Sequence, residues 1–330
     1  MAQGQLFAVA AQGGYYASFN LSTELRKGVQ AVQRFRQFAD VKDAWNAKRN
    51  GETFTWDTVP MMSRGNRALL ETNTMPTGSH SVLQGTLTIS ERGMSIPYTD
   101  KLEKLAMVGV RAPIMRVLKY DAACDLDALA WTQFNNTPLR YVGTTSSTGI
   151  VTTNGTATAI NTSAYNSTHA KNLVDEAKSR NIPPYENGDY YAIARPSALR
   201  TFKNNMESLH QYTDTGLTMI MNGEIGRYEQ TRYIEQTSIP TGGAADSTTF
   251  SAFTETGDAW NGAATNLSDW VFFFGSDTVA EAVNTPEEIR AKLVDDYGRS
   301  KGLAWYYLGG FGLEQTDATQ ARIIKFDSAQ

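Results

Sequence analysis

One cysteine, Cys124, stands among 330 residues, so neither an intramolecular disulfide nor a multi-cysteine zinc site can form within one chain. Imidazole is nearly as scarce, with His80, His169 and His210 the only three histidines. Basic excess is missing too. Thirty Lys and Arg against 34 Asp and Glu leave a net charge of −4, the wrong sign for a dedicated nucleic-acid binder. No apolar run approaches the roughly 18 residues of a membrane span. The opening MAQGQLFAVAAQGGYY lacks the basic start of an export signal. Phosphate-cradle, dinucleotide, HExxH and GxSxG motifs are all missing. A His–Asp–Ser arrangement needs only spatial proximity, but three histidines and no nucleophile elbow give it little support. The expectation is a protein without catalytic role, cofactor or metal, suited to a reducing cytosol and not to a membrane.

The length allows one large domain or two moderate ones, with ample core. Charge is distributed unevenly. Residues 1–23 carry none, while residues 24–49 hold Arg26, Lys27, Arg34, Arg36, Lys42, Lys48 and Arg49 against three acids. Such a block reads as a solvated helix face, or as an arm lying on an acidic neighbour or on packaged DNA. Ser22 or Thr23 followed by Glu24 predicts one or two helices over 21–49.

Period-two alternation predicts strands at 53–57 and 86–90. About thirty polar residues separate them, a length that points to a long hairpin with a functional loop. Gly93 is expected to turn the chain and Thr99 to start a helix. Pro113 suits a first helical turn and predicts a long helix to Asn135. Ile114, Val117, Leu118, Ala128 and Leu129 are expected on one face. Asp121 and Asp125 share that face one turn apart, so their repulsion calls for a partner. An Arg or Lys from elsewhere in the fold or from a neighbouring subunit is preferred over a metal.

Farther along, 141–168 is an uncharged, Thr-rich β segment, and Thr168 is expected to cap a helix. Tyr190–Ala194 reads as a strand, and Pro196 opens a helix with Leu199, Phe202, Met206 and Leu209 on its core face. An alternating strand falls within 223–240, and 241–267 reads as an inserted loop. Trp270–Phe274 suits a strand buried on both faces. Three more β segments follow, at 277–283, 303–308 and 322–326. LGGFG at 308–312 is read as a tight bend, and the aromatics Trp305, Tyr306, Tyr307 and Phe311 as core or subunit interface.

Three local patterns carry a resemblance: ERGMSIPYTDKLEKLA at Glu91–Ala106, YAIARPSALRTF at Tyr191–Phe202 and GEIGRYEQTRYIEQTSIP at Gly223–Pro240. In their order and spacing the chain resembles major capsid proteins of tailed double-stranded DNA bacteriophages. It is similar in particular to the coat family of certain podophages and marine siphophages. The resemblance implies an α+β, Hong Kong 97-type fold. Residues 1–50 would form an N-terminal arm and 51–98 an E-loop hairpin. The peripheral domain would comprise 99–140 and 276–330, with a spine helix at 113–135. The axial domain would be 141–275.

The implied function is a coat protein that assembles with itself as hexamers and pentamers into an icosahedral shell around the genome. Implied partners are a portal, a separate scaffolding protein, a decoration protein and DNA met non-specifically on the inner face. The implied location is the virion, after assembly in the host bacterial cytoplasm. Arg26, Arg34, Arg36, Arg64, Arg67, Glu71 and Arg92 are the expected intersubunit contacts. An encapsulin-like compartment shell and a secreted β-rich adhesin remain the alternatives.

Overall fold

The computed structural model describes residues 33–44, 52–60, 78–106, 109–152, 161–185, 187–210, 227–239, 268–293 and 295–329. Its strands are β1 (Ala39–Asp43), β2 (Thr53–Thr58), β3 (Leu83–Thr88), β4 (Ser90–Thr99), β5 (Leu139–Gly143), β6 (Gly149–Thr152) and β7 (Tyr190–Ala194). They continue with β8 (Arg227–Tyr228), β9 (Thr231–Glu235), β10 (Ser268–Phe274), β11 (Val279–Ala291), β12 (Ser300–Leu313) and β13 (Ile323–Ala329). The helices are α1 (Asp100–Leu105), α2 (Arg111–Asn135), α3 (Ser167–Ser179) and α4 (Arg200–His210). This is a mixed α+β chain, as its alternating patterns imply.

A four-stranded sheet has the order β1-β11-β12-β4. Strands β11 and β12 pair antiparallel along most of their length, and β4 adds to β12. Gly93 does not turn the chain, contrary to the sequence expectation. It sits inside β4 opposite Tyr306, where a Cβ would lie 2.6 Å from the Trp305 carbonyl oxygen. The glycine answers to close backbone approach. LGGFG is likewise no bend but part of β12. A Cβ on Gly310 would collide with the Thr88 carbonyl, so this glycine lets the β2–β3 hairpin lie directly on the sheet. Thr99 does start α1, its hydroxyl accepting from the Leu102 N–H at 3.3 Å.

The helix expected across 21–49 is replaced, over 33–44, by a 3-10 turn at Phe35–Phe38 and the strand β1, parallel to β11. Packing overrides the charge pattern here. Phe35 is fully buried, its ring 5.3 Å from Phe134 and 5.5 Å from Phe272. A continuous helix has no means of supplying the edge pairing that β11 receives from Ala39–Asp43.

A seven-stranded sheet has the order β6-β5-β13-β10-β7-β9-β8. Every residue of Trp270–Phe274 is buried, as its unbroken apolar run predicts. Trp270, Phe272 and Phe274 join the core that holds α2, while Val271 and Phe273 join the one under α3 and α4. Residues 276–330 do not all return to one sheet. β11 and β12 form the four-stranded sheet, but β13 runs between β5 and β10 in the other.

α2 spans 25 residues, about 37 Å at 1.5 Å per residue. Pro113 lies in its first turn, two residues after the helix begins. Ile114, Leu118 and Ala128 are buried, but Val117 is 54 % exposed. Ala122, Leu126, Trp131 and Phe134 complete the inward stripe instead. Asn166, not Thr168, caps α3, its Oδ1 accepting the N–H groups of Thr168 and His169 at 3.0 Å each. Pro196 lies in the turn before α4, which begins at Arg200. Glu229 and Gln230, at φ 47° and 59°, make the two-residue connection between β8 and β9.

Asp189 leads into β7 and ties that strand to its neighbours. It accepts from Arg232 at 2.7 Å and pairs with Arg227 at 2.5 Å. The Arg232 hydrogen bond, helped by the charges of Arg227 and Arg232, holds its carboxyl below the usual range despite desolvation. A depressed acid stabilises the fold above its unfolded pKa of about 4 and loses that contribution as pH falls through the folded value. Asp189→Asn is therefore expected to lower stability at pH 7 and to converge with the wild type in strong acid. Urea midpoints measured across pH 2–7 test this; parallel curves would contradict it.

Candidate functional site

No imidazole or thiol among the described side chains is arranged for acyl or phosphoryl chemistry. His169 is fully buried, and its Nε2 meets the Thr145 carbonyl at 2.8 Å rather than a hydroxyl or carboxylate. His80 is exposed, and the His210 side chain lies outside the described residues. Cys124 is buried, with Gln33 Nε2 3.0 Å from its sulfur. Burial comes first among the causes that push its thiol up, away from the reactive thiolate.

The geometry points instead to surfaces and to the joints that hold them. The first joint anchors the β2–β3 hairpin. Its strands pair from Thr53–Thr88 to Thr58–Leu83. Leu87 is buried against Ala44, Ala280 and Ala282 on one face of the four-stranded sheet. Trp56 Nε1 donates to the Glu314 carbonyl at 3.1 Å, and Gln315 Nε2 donates to Thr58 Oγ1 at 3.1 Å. Lys42 reaches Glu314 at 2.5 Å, its Nζ 5.6 Å from the Trp56 ring centre. The free end of the hairpin, beyond Pro60 and before Gly78, lies outside the described residues.

The second joint fixes the segment before β1. Arg36 meets Glu281 through Nε at 3.1 and 3.2 Å and through Nη2 at 2.8 Å. It also grips Glu287 at 3.0 and 3.1 Å. Burial disfavours the Arg36 charge, but the hydrogen bonds to Glu287 and Glu281 outweigh it and hold the guanidinium more firmly protonated. Tyr307 adds its hydroxyl to Glu281 at 3.1 Å, and burial followed by that carboxylate pushes the phenol up. Next to Arg36, Asp127 accepts the Arg36 N–H at 2.9 Å and the Gln236 amide at 2.9 Å.

The third joint answers the Asp121–Asp125 question. Arg92 of β4 approaches Asp125 at 3.5 Å, and Trp305 Nε1 donates to Asp121 at 2.7 Å. The partner is thus an arginine from elsewhere in the same chain, with an indole for the other carboxylate. Desolvation, and then the neighbouring Asp121, keep the Asp125 carboxyl above its ordinary value against the pull of Arg92.

Of the expected contact residues, the structure places Arg36 and Arg92 in these internal joints. Arg34 is half-buried beside the 3-10 turn, and Arg26, Arg64, Arg67 and Glu71 lie outside the described residues. Glu281, Glu287, Glu314, Trp56 and Tyr307 were not singled out from sequence. Glu281 gave one signal, a carboxylate between two alanines in a buried strand. Exposed apolar side chains complete the surface: Val59 and Val82 on the hairpin, Met94 on β4, and Leu293 and Tyr297 at the β11–β12 tip.

No protein-family model and no curated protein matches the chain. Solved structures do. The head structure of Helicobacter pylori bacteriophage KHP40 aligns over 99 % of both chains with a TM-score of 0.70 at 11 % identity. The acidic stable capsid structure of Helicobacter pylori bacteriophage KHP30 gives 0.70 at 11 % identity, over 95 % of this chain and 96 % of that one. The capsid structure of the cyanophage P-SCSP1u gives 0.65 at 13 % identity, over 94 % of each. The chain therefore has the fold found in these phage capsids, from one end of the alignment to the other.

Proposed function

We propose that this chain is the major capsid protein of a tailed double-stranded DNA phage, a structural subunit that builds the icosahedral head and resides in the virion. The observation that carries this reading is the whole-length match to the KHP40 head structure, with 99 % of each chain covered. In Hong Kong 97-type terms, β2 and β3 are the base of the E-loop and α2 is the spine helix. The four-stranded sheet with α2 makes the peripheral domain, and the seven-stranded sheet makes the axial domain. β13 departs from the expected division, because it joins the axial sheet.

Shell assembly requires each copy to meet several others through distinct surfaces. Exposed apolar side chains on a hairpin and on a strand tip suit that need better than a pocket does. Many modest contacts then add up through avidity. Hexamers and pentamers of the chain are the expected assemblies, with a portal, a separate scaffolding protein, a decoration protein and packaged DNA as partners. Assembly takes place in the host bacterial cytoplasm. Arg26, Arg34, Arg64, Arg67 and Glu71 are assigned to contacts between copies, and Arg36 and Arg92 to holding the subunit's own shape.

Electron microscopy of the expressed protein tests the reading. Closed icosahedral shells are the expected result, and discrete small particles would oppose it. Shells filled with enzyme instead of DNA in the native host would favour the compartment alternative. Removing residues 1–20 is expected to abolish or derail assembly while leaving the subunit folded. Normal particles from that deletion would refute the role given to the arm.

A further inference from the structure

We propose that Asp40, Asp277, Glu314 and Thr278 form a binding site for a divalent cation of the calcium type. The carboxylate oxygens of Asp40, Asp277 and Glu314 lie within 4.8 Å of one another. They come from three separate stretches of chain: β1, the turn before β11, and the residue after β12. Asp277 takes a left-handed conformation at φ 49° as the chain enters β11.

Carboxylates near one another are common, so the argument turns on a fourth residue. Thr278 is 1 % exposed, and its Oγ1 has no hydrogen-bond partner among the described residues. The ladder shows which face that side chain occupies. Glu314 N donates to the Thr278 carbonyl at 2.9 Å, continuing the register in which Val279 faces Leu313. Directly opposed residues of an antiparallel pair project to the same face, and residues two apart along a strand share it. Thr278 therefore shares a face with Glu314 and Ala280. Asp40 is paired with Ala280 and lies on that face too. The buried, unpartnered Thr278 side chain thus projects from the same face as two of the carboxylates, directly opposite Glu314, and offers a neutral oxygen for the ion or for one of its waters.

The charge balance agrees. Lys42 pairs with Glu314 at 2.5 Å and Arg322 with Asp277 at 2.8 Å, while Asp40 makes no ion pair among the described residues. Lys42, at 36 % exposure, has solvent into which to withdraw when an ion enters. Calcium suits such a set, because it accepts carboxylate oxygens in flexible geometry where magnesium demands a near-ideal octahedron. A bound ion would fasten β1 to both long strands of the sheet at one point.

Trp56 provides the readout, since its indole N–H already touches the Glu314 carbonyl at 3.1 Å. Titrating the purified full-length subunit with Tb³⁺ under tryptophan excitation is expected to give saturable sensitised emission, reversed by Ca²⁺ but not by equal K⁺. Asp40→Asn is expected to weaken binding by about ten-fold or more, as ligand charge sets affinity in oxygen sites. Asp277→Asn, at an exposed position, provides the same test should the first variant fold poorly. Absence of saturable emission from the wild type, or emission unchanged in both variants, would overturn the proposal.

Discussion

Arg36→Ala is expected to destabilise the subunit by about 3–5 kcal/mol, the range seen when one partner of a buried ion pair is removed. The cost comes from what remains. Glu281 is 1 % exposed and receives three of the arginine's hydrogen bonds. Without them its charge keeps, among the described residues, the Tyr307 hydroxyl alone as a side-chain partner. Glu287 is 44 % exposed and would return to water with little penalty. A second substitution separates the causes. Arg36→Met combined with Glu281→Gln should recover most of the loss, because a buried pair replaced as a unit leaves no orphaned charge. Denaturant unfolding of unassembled subunits measures both. A loss below about 1 kcal/mol for the single variant would place the pair among ordinary surface bridges.

The second large effect is expected at Phe274→Ala, at about 3–5 kcal/mol for deletion of a buried phenylalanine. Phe274 is fully buried, with ring centres 5.0 Å from Phe134 and 5.1 Å from Phe38. Tyr185 and Tyr191 close the cluster at 6.4 Å each. One side chain thus joins α2, the segment entering β1, and strand β7 of the larger sheet. The same unfolding experiment applies, with hydrogen exchange to locate the change. Protection should fall in β1 and in the last turn of α2 together. A stability loss confined to β10 would contradict this account of the core.

Much of this architecture was legible in the residues. The α2 pattern, the unbroken apolar run of β10 and the alternation in β2 each reported their environment directly, because burial on one face or two imposes its own period. Residues 33–44 misled for a physical reason. Their charges resemble a helix face, but burial of Phe35 and pairing with β11 decide the conformation, and both depend on residues more than 90 positions away. The glycines of β12 misled similarly, since composition cannot distinguish a bend from a place where another backbone must pass. For the site, the need for a partner at Asp125 was readable from helical spacing. That the partner would be Arg92 of the same chain was not. Nor could the basic block around Arg36 reveal that its acids, Glu281 and Glu287, lie on β11.

The position of β13 has a consequence for the order of events during synthesis. Residues 323–329 occupy the gap between β5 and β10, parallel to the first and antiparallel to the second. Strand β5, already paired with β6, therefore waits for its other neighbour until the ribosome has translated about 180 more residues. Pairings so distant in sequence form slowly. A nascent chain consequently carries an open seam through the larger sheet until that strand emerges. Under the shell-building role proposed above, the delay would act as a timer, keeping half-made subunits out of a growing lattice.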